Sequence, residues 1–499
     1  MLEAKISQRK TIVLLSLFGF LVAMLTVRIT QQGDMGTFLT VAGLVSKGYK
    51  LYAETFEVKD PGFFYSAAIA LKWFGIRGPF ILDGLLILAS APIAYSLLRK
   101  FQCNQYVALV ASMMFTLTLT GFYYESFRTQ IAAILLFLVA SHFVLNSKFV
   151  LAGIALFLMI TFKFGFIIFS PVVLYLIFKR QARVNFDDLT KFFLGFISSL
   201  VLFFGIMAYR GEFLGYLECI GDNFNYAKIA QETYGLPIGL LGHLEIWNNL
   251  TNNSGWIFII EFIVLVTLCI KNRELLRNLH YFTLATNFVI LAFLGTSLLW
   301  GHHLQILSLS ILLNIACISD LMISRLSSNS RDRTSDLKIV SLISFLILTI
   351  FTASSVHGTR IPLHKLQSID NLLHPATFIP PEIELLESFS ANSIRDHKII
   401  VARLGGIDDL GYGYFLDTDK FKFACTKHFI IGIENTKQMD RYITCLSNIP
   451  SYVTVGPYFA EGNPFNPVYQ SGRKQIQNLL RDSFYKVSSQ GAYHIYRRR

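Results

Sequence analysis

The sequence is short of charge. Only 15% of its 499 residues are Asp, Glu, Lys or Arg, whereas 53% are hydrophobic and 45 are phenylalanine. A water-soluble domain carries about 25% charged residues. This deficit excludes an ordinary water-soluble fold for most of the chain and indicates that it needs an apolar solvent.

Several sequence signatures are missing as well. The six cysteines form no Cys-x-x-Cys pair, so neither a zinc site nor a dithiol redox site is indicated. We find no Gly-x-Gly-x-x-Gly after a strand, no Walker loop, no Gly-x-Ser-x-Gly and no His-Glu-x-x-His. A nucleotide-sugar-binding domain is therefore not evident. The chain also shows no internal repeat and no low-complexity segment.

Long apolar runs fill most of the chain. A helix crosses a bilayer with about 17–25 apolar residues, and about eleven runs approach that length. The first run follows a short basic N-terminus without a small-x-small cleavage site, so we predict an uncleaved span. These runs predict an α-helical polytopic membrane protein. The predicted spans are Thr11–Ile29, Pro79–Leu98, Tyr106–Tyr123, Thr129–Leu145, Phe149–Phe162, Phe164–Phe178, Leu189–Tyr209, Gly255–Ile270, Phe282–Leu299, Leu304–Ile323 and Ile339–Val356.

Basic residues orient these spans. The net charge of +12 is scattered between spans and forms no basic stripe, which argues against a nucleic-acid partner. With the N-terminus in the cytoplasm, five successive inner loops are basic, as the positive-inside rule requires. We therefore predict an integral protein of a bacterial inner or plasma membrane, with its C-terminal part outside the cytoplasm. The basic residues of the five loops are Arg99, Lys100, Lys148, Lys179, Arg180, Arg183, Lys271, Arg273, Arg277, Arg325, Arg331 and Arg333.

The predicted outer segments are a first loop, residues 30–78, a long loop, residues 210–254, and the tail, residues 357–499. We predict that residues 1–356 form the transmembrane domain and that the tail forms a small extracytoplasmic α/β domain. Cys425 and Cys445 both lie in the tail, either as a disulfide or as two buried thiols. The predicted tail strands are Lys398–Arg403, His428–Ile433 and Ser451–Val455, and the predicted helices are Glu382–Phe389, Thr436–Leu446 and Arg473–Phe484.

The first outer loop carries the most informative polar residues. Asp34 follows the first span, and Met35–Ser46 has helical periodicity with one apolar face. This pattern predicts a short helix along the membrane surface, with Asp34 at its N-terminus. An ordinary N-cap is the structural alternative for Asp34, because Asp favours that position.

The order of motifs in this loop resembles a known superfamily. Gly48, Leu51-Tyr52, Phe56 and Lys59 follow Asp34, and Asp60-Pro61 stands where a Pro-Pro pair is usual. This order is similar to the first outer loop of the GT-C glycosyltransferases. The similarity is greatest to the branch of protein O-mannosyltransferases, aminoarabinose transferases and related lipopolysaccharide-modifying transferases.

Two later segments also resemble that branch. Tyr123–Phe127 resembles its outer Ser/Glu motif ahead of the fourth span. Trp300–Leu304 resembles its Gly-x-x-x-His-Tyr-x-Leu motif, with His303 in place of the usual Tyr. The resemblance covers roughly the membrane part of the chain.

The resemblance implies sugar transfer from a polyprenyl-phosphate donor to a glycolipid, a cell-envelope glycan or a protein on the outer face of the membrane. Asp34 would be the general base and Lys59 the partner of the donor phosphate, because such a displacement needs a proton acceptor and a cation near the leaving group. A lysine snorkelling at the interface is the alternative for Lys59.

Further site residues are implied in the same way. Glu125 would bind a sugar hydroxyl or assist Asp34, and the other predicted substrate or phosphate contacts are Tyr52, Arg128, His302 and His303. The structural alternatives are an ordinary loop carboxylate for Glu125, an ion pair for Arg128 and interfacial histidines. No cluster with metal-ligand spacing is recognised, so no cofactor is predicted, although a divalent metal stays open.

Two other hypotheses come from different functional classes. A transporter or flippase of lipid-linked substrates would show paired broken helices and internal two-fold repetition, neither of which is visible. A non-catalytic scaffold would leave Asp34, Lys59, Glu125 and His302 on one predicted face without a role.

Overall fold

A computed structural model describes most of the helical part of the chain and the sheet of the tail. The described residues are 7–27, 33–56, 59–121, 129–180, 186–222, 255–271, 273–296, 305–329, 385–386, 388, 399–404, 421–427, 437–456, 470–491 and 493–499.

Helices make up most of the described residues. They are α1 (Gln8–Thr26), α2 (Gly33–Ser46), α3 (Pro61–Phe74), α4 (Gly78–Lys100), α5 (Gln105–Gly121), α6 (Thr129–Leu145), α7 (Phe149–Phe162), α8 (Ser170–Arg180), α9 (Phe186–Tyr209), α10 (residues 213–222), α11 (Gly255–Lys271), α12 (Asn278–Thr296), α13 (Leu307–Asn329), α14 (Lys437–Asn448) and α15 (Gln470–Ser483).

The strands form one small mixed sheet and one short parallel pair. The sheet has the order β3-β2-β5-β7-β6, in which β3, β2 and β5 are mutually parallel and β7 is antiparallel to both of its neighbours, β5 and β6. The strand pair β1-β4 is separate from the sheet. The strands are β1 (Thr55–Phe56), β2 (Ile399–Leu404), β3 (Phe421–Phe423), β4 (Thr426–Lys427), β5 (Tyr452–Val455), β6 (Phe484–Gln490) and β7 (Tyr493–Arg498).

The helices have the apolar character of a membrane protein. Among the described residues, three helical stretches are long and apolar enough to cross a bilayer, namely Gln8–Thr26, Pro61–Lys100 and Phe186–Tyr209. Shorter apolar helices account for several other predicted spans. The prediction of eleven spans stays a prediction, and its last member, Ile339–Val356, lies outside the described residues.

The chain divides into two compact units. The first consists of residues 1–28, 82–202 and 237–369, and the second of residues 29–81, 203–236 and 370–499. The predicted first outer loop, the start of the predicted long outer loop and the tail from residue 370 onward therefore belong to the same unit. The predicted domain boundary after residue 356 lies outside the described residues and stays a prediction.

In the first unit, an apolar bundle surrounds a small polar cluster. Helix α5 packs on α13 and α1, and α6 packs on α7 and α8. Between α12 and α13, Asn287 Nδ2 donates to Asn314 Oδ1 at 2.8 Å, and the Ser310 hydroxyl donates to Asn287 Oδ1. Glu261 of α11 is buried and hydrogen-bonded to Asn314. The side chains of this cluster thus satisfy one another.

Glycines bring α7 and α9 close together. A Cβ atom at Gly153 would lie 2.1 Å from the carbonyl oxygen of Phe192, and one at Gly195 would lie 2.1 Å from that of Val150. Only glycine allows backbones to approach this closely, as in other membrane helix pairs.

In the second unit, the tail has its own apolar core beneath the mixed sheet. Helices α14 and α15 place Met439, Tyr442 and Ile476 against Val453 of β5. The high amphipathicity of both helices accounts for this packing, since their opposite faces carry the charges. Cys425 and Cys445 form a disulfide, which decides between the two alternatives left open by the sequence.

The tail elements match the predictions in part. Strands β2 and β5 and helices α14 and α15 lie at the predicted positions, but Phe484 begins β6 instead of ending a helix. The hairpin β6–β7 was not predicted; its turn contains Gly491, which has φ +56°. Only residues 385, 386 and 388 of the predicted helix Glu382–Phe389 are described, all as helix, and His428–Ile433 lies outside the described residues.

Candidate functional site

Helix α2 starts at Gly33, so Asp34 lies in its first turn. The predicted helix is confirmed, but the prediction that it has a single apolar face is wrong, and its position along the membrane surface stays a prediction. All residues from Phe38 to Val45 are buried, and α2 packs on α3. The physical reason is that no charged side chain follows Asp34 in this helix, so no face needs water. The side chain of Asp34 lies outside the described part of the structure.

A glycine turn ends α2. The amide of Gly48 donates to the carbonyl of Val45, and the amide of Tyr49 donates to the carbonyl of Leu44 at 3.1 Å. Gly48 has φ +96°, a conformation that glycine adopts without a steric penalty. The glycine of the sequence motif is therefore the residue that turns the chain from α2 into the loop.

Tyr52 is the buried centre of that loop. Its amide donates to Thr55 Oγ1 at 3.3 Å, and its hydroxyl donates to the carbonyl of Lys59 at 2.6 Å. Burial raises the pKa of Tyr52 well above its ordinary value, and nearby Cys219 and Tyr216 add to the effect, so the hydroxyl stays a donor. These contacts are internal to the protein and hold Lys59 in place. The predicted substrate contact of Tyr52 stays a prediction.

Lys59 lies against the aromatic face of α2. Its Nζ atom is 6.0 Å from the ring centroid of Phe38, which is a cation–π distance. Phe38 in turn packs edge-on against Phe63 and Phe64 of α3. Phe38 stands one helical turn after Asp34, so the two positions share a face of α2. The ammonium group of Lys59 therefore lies beside the helix face to which position 34 belongs.

Asp60 joins the same loop to α10. It is the N-cap residue of α3, and Pro61 occupies the first helical position. Tyr216 of α10 donates its hydroxyl to Asp60 Oδ1 at 3.3 Å, and the rings of Tyr216 and Tyr52 lie 5.4 Å apart. Asp60, which stands where the first proline of the usual Pro-Pro pair would be, thus has Tyr216 as a hydrogen-bond partner. Burial and then Asp60 raise the pKa of Tyr216.

The sequence analysis missed Glu212, which anchors the loop. Glu212 is fully buried, and its Oε1 atom accepts hydrogen bonds from the amide of Leu51 and from Arg210 Nε, both at 2.9 Å. Tyr65 of α3 donates its hydroxyl to Glu212 Oε2. One carboxylate thereby binds the loop, α3 and the end of α9 together.

The end of α9 positions this carboxylate. Gly211 has φ +73°, and the amide of Glu212 donates to the carbonyl of Met207 at 2.8 Å, so the chain turns sharply there. Arg210 also donates to the carbonyl of Tyr49 at 3.3 Å. Burial lowers the pKa of Arg210, but the hydrogen bond and the charge of Glu212 raise it by more, so the guanidinium stays ionised. An Arg-Gly-Glu sequence directly after an apolar helix was the available signal.

The remaining predicted site residues lie outside the described residues. They are Glu125, Arg128, His302 and His303. The described residues contain no group of three or more His, Cys, Asp or Glu side chains that could hold a metal ion. The structure therefore brings together Tyr52, Lys59 and the helix that carries Asp34.

No protein-family model and no curated protein matches the sequence. Solved structures do match over nearly the whole chain. ArnT from Cupriavidus metallidurans, in the apo state, matches with a TM-score of 0.52 and 12% identity, over 97% of this chain and 97% of that protein.

A second match is the oligosaccharyltransferase of Archaeoglobus fulgidus, tethered by a disulfide bond to an acceptor peptide with the NVT sequon. It has a TM-score of 0.54 and 10% identity, over 97% of this chain and 73% of that protein. Both proteins are GT-C glycosyltransferases. At these identities the likeness shows the fold, and the chain has the GT-C fold.

We expect Glu212→Gln to destabilise the first outer loop. The amide would remove the charge opposite Arg210 and direct an N–H group toward existing donors, at a cost of about 2–4 kcal/mol. Thermal unfolding of the purified protein in detergent measures the loss as a lower midpoint. Glu54→Gln is the matched control, because exposed Glu54 accepts a hydrogen bond from the Lys50 amide and glutamine keeps an acceptor oxygen for it. Equal midpoints for the two variants would contradict the role of Glu212.

Proposed function

We propose that this protein is a glycosyltransferase that uses a polyprenyl-phosphate-linked sugar. It would transfer the sugar to a glycolipid, a cell-envelope glycan or a protein acceptor at the outer face of the membrane. The observation that carries the proposal is the GT-C fold, which matches an oligosaccharyltransferase and ArnT over 97% of the chain. Fold likeness alone does not determine chemistry, so the residues of the site have to support it.

The proposed chemistry is a displacement at the anomeric carbon. The acceptor hydroxyl attacks, its proton passes to a carboxylate, and the polyprenyl phosphate leaves. We assign the carboxylate to Asp34. Its place in the first turn of α2 favours the ionised form, since the helix N-terminus stabilises negative charge. An ionised carboxylate is the state that accepts a proton.

Lys59 is the proposed partner of the donor phosphate. The donor phosphate is anionic when it binds and gains charge on the leaving oxygen during transfer, so a fixed cation contributes to donor binding and stabilises the leaving group. Lys59 lies beside Phe38 of α2, and the hydroxyl of Tyr52 donates to its carbonyl. This fixed position supports the role. A cation fixed in advance costs less to organise during the reaction than a mobile one.

The outer residues beyond the described part complete the proposal. Glu125 would bind a sugar hydroxyl or assist Asp34, and Arg128 would contact the phosphate. His302 and His303 would contact donor or acceptor. We also propose that the N-terminus is cytoplasmic, that residues 357–499 form the extracytoplasmic domain, and that the membrane is a bacterial inner or plasma membrane, on the strength of the basic inner loops.

We expect Asp34→Asn to abolish most of the transfer activity. Loss of a general base lowers kcat by about 10²–10⁴-fold. The assay mixes purified protein with a panel of polyprenyl-phosphate sugars and follows sugar appearing on lipid or peptide acceptors. Asp187→Asn is the matched control, because Asp187 is an exposed carboxylate in the first turn of α9.

Two outcomes would overturn the assignments tested here. Full activity in Asp34→Asn would remove Asp34 as the base. Failure of the wild-type protein with every lipid-linked donor, together with movement of those donors across liposome membranes, would favour a transporter over a transferase.

We expect Lys59→Gln to raise the KM for the lipid-linked donor. A lost ionic hydrogen bond to phosphate corresponds to a rise of about tenfold or more. Initial rates at varied donor concentration measure it. Lys72→Gln is the control, since Lys72 is exposed in the last turn of α3. An unchanged donor KM in Lys59→Gln would exclude Lys59 from the phosphate site.

A further inference from the structure

The tail reaches the loop that carries Lys59 through a short strand pair. Thr55 and Phe56 of β1 pair in parallel with Thr426 and Lys427 of β4. Thr55 Oγ1 also accepts a hydrogen bond from the amide of Tyr52. The hydroxyl of Tyr52 in turn donates to the carbonyl of Lys59. The backbone of β4 is therefore connected to Lys59 through its pairing with β1 and then through these two hydrogen bonds.

A disulfide fixes the start of β4. Cys425 immediately precedes Thr426 and is bonded to Cys445 of α14. The Cys425 side chain is buried in the tail core, whereas Cys445 is only partly buried. Without this bond, β4 would still be held to the tail sheet through β3, which pairs with β2 and ends three residues before Thr426, but it would lose its covalent link to α14. A covalent link across 20 residues restricts that segment strongly.

Helix α14 makes a second contact with the site. Arg441 Nη2 lies 2.5 Å from Glu218 Oε2 of α10, and both side chains are about one-third exposed. Arg441 stands four residues before Cys445, so both occupy the same face of α14. That face therefore contacts α10 through the ion pair and β4 through the disulfide.

Helix α10 also contacts Tyr52. A Cβ atom at Gly215 would lie 2.8 Å from Tyr52 Cβ, and the ring of Tyr216 lies against the ring of Tyr52. Helix α14 is thus connected to Tyr52 by two routes. One runs through the disulfide, β4 and β1, and the other runs through the ion pair and α10. We name the Cys425–Cys445 disulfide, the β1–β4 pair and the Arg441–Glu218 ion pair the tail clamp.

We propose that the tail clamp positions Lys59 for the donor, so that Cys425, Cys445 and Arg441 are positioning residues of the transferase. This inference rests on the proposed function. It assigns to the tail a role in holding the donor site, in addition to any contact with acceptor. It also makes donor affinity dependent on an intact disulfide, hence on an oxidising compartment.

The test uses the full-length protein in detergent and the double variant Cys425→Ser/Cys445→Ser. Hydrogen exchange of the peptide covering residues 52–60 reports the loop without any requirement for activity. We expect exchange there to rise about tenfold or more. A peptide from α6 is the internal reference, and reduction of the wild-type disulfide should reproduce the effect while leaving the double variant unchanged.

A second variant keeps the test informative if the double variant folds poorly. Arg441→Gln removes the partly exposed ion pair, and we expect about twofold to fivefold faster exchange in residues 52–60. Arg481→Gln is the matched control, because Arg481 pairs with Asp482 on the surface of α15 in the same domain.

Kinetics then separate positioning from simple stabilisation. A positioning role predicts a raised donor KM with little change in kcat, whereas partial unfolding would lower the active fraction and leave KM unchanged. Unchanged exchange in both variants overturns the proposal, as does an unchanged donor KM in an active enzyme. Raised exchange in the variants, together with a wild-type protein that transfers no sugar from any donor, would instead overturn the proposed function, while the clamp's effect on the loop would stand.

Discussion

One buried carboxylate organises the loop between α2 and α3. Glu212 has no exposure to solvent and binds the amide of Leu51, the hydroxyl of Tyr65 and the guanidinium of Arg210. A buried charge is tolerated only when such partners surround it, so the loop, α3 and the end of α9 must keep their relative positions. The fixed loop is what places Lys59 beside α2.

The bilayer supplies the other constraint. Apolar helices pack some of their polar side chains against one another, as the cluster of Asn287, Asn314 and Glu261 shows. In the account proposed above, chemistry is confined to the outer ends, where a lipid phosphate can be reached from the membrane. In the same proposal, the tail orders the loop that carries Lys59 through α14 and β4.

Much of this architecture follows from hydrophobic periodicity. It predicted the helical membrane fold, α2, and strands β2 and β5, because long apolar runs and short β-branched runs have few alternative structures. It failed where a contact distant in sequence decides the outcome. In the sequence, Glu212 resembles any loop carboxylate. Its role is visible only in the structure, where it binds the amide of Leu51, 161 residues away. The hairpin β6–β7 was missed because β6 contains several polar residues and so lacks a clear alternation of apolar and polar side chains. In addition, Phe484 fits the end of the preceding helix equally well.

The central claim is that Asp34, Glu125 and His302 share the outer face of the membrane. Labelling of Asp34→Cys, Glu125→Cys and His302→Cys with a membrane-impermeant thiol reagent, in intact cells and in inverted vesicles, measures this directly. The four cysteines outside the disulfide are buried, which keeps the background low. The account predicts that all three positions react from outside the cytoplasm. Reaction of any one of them only from the cytoplasmic side would contradict a single active-site face.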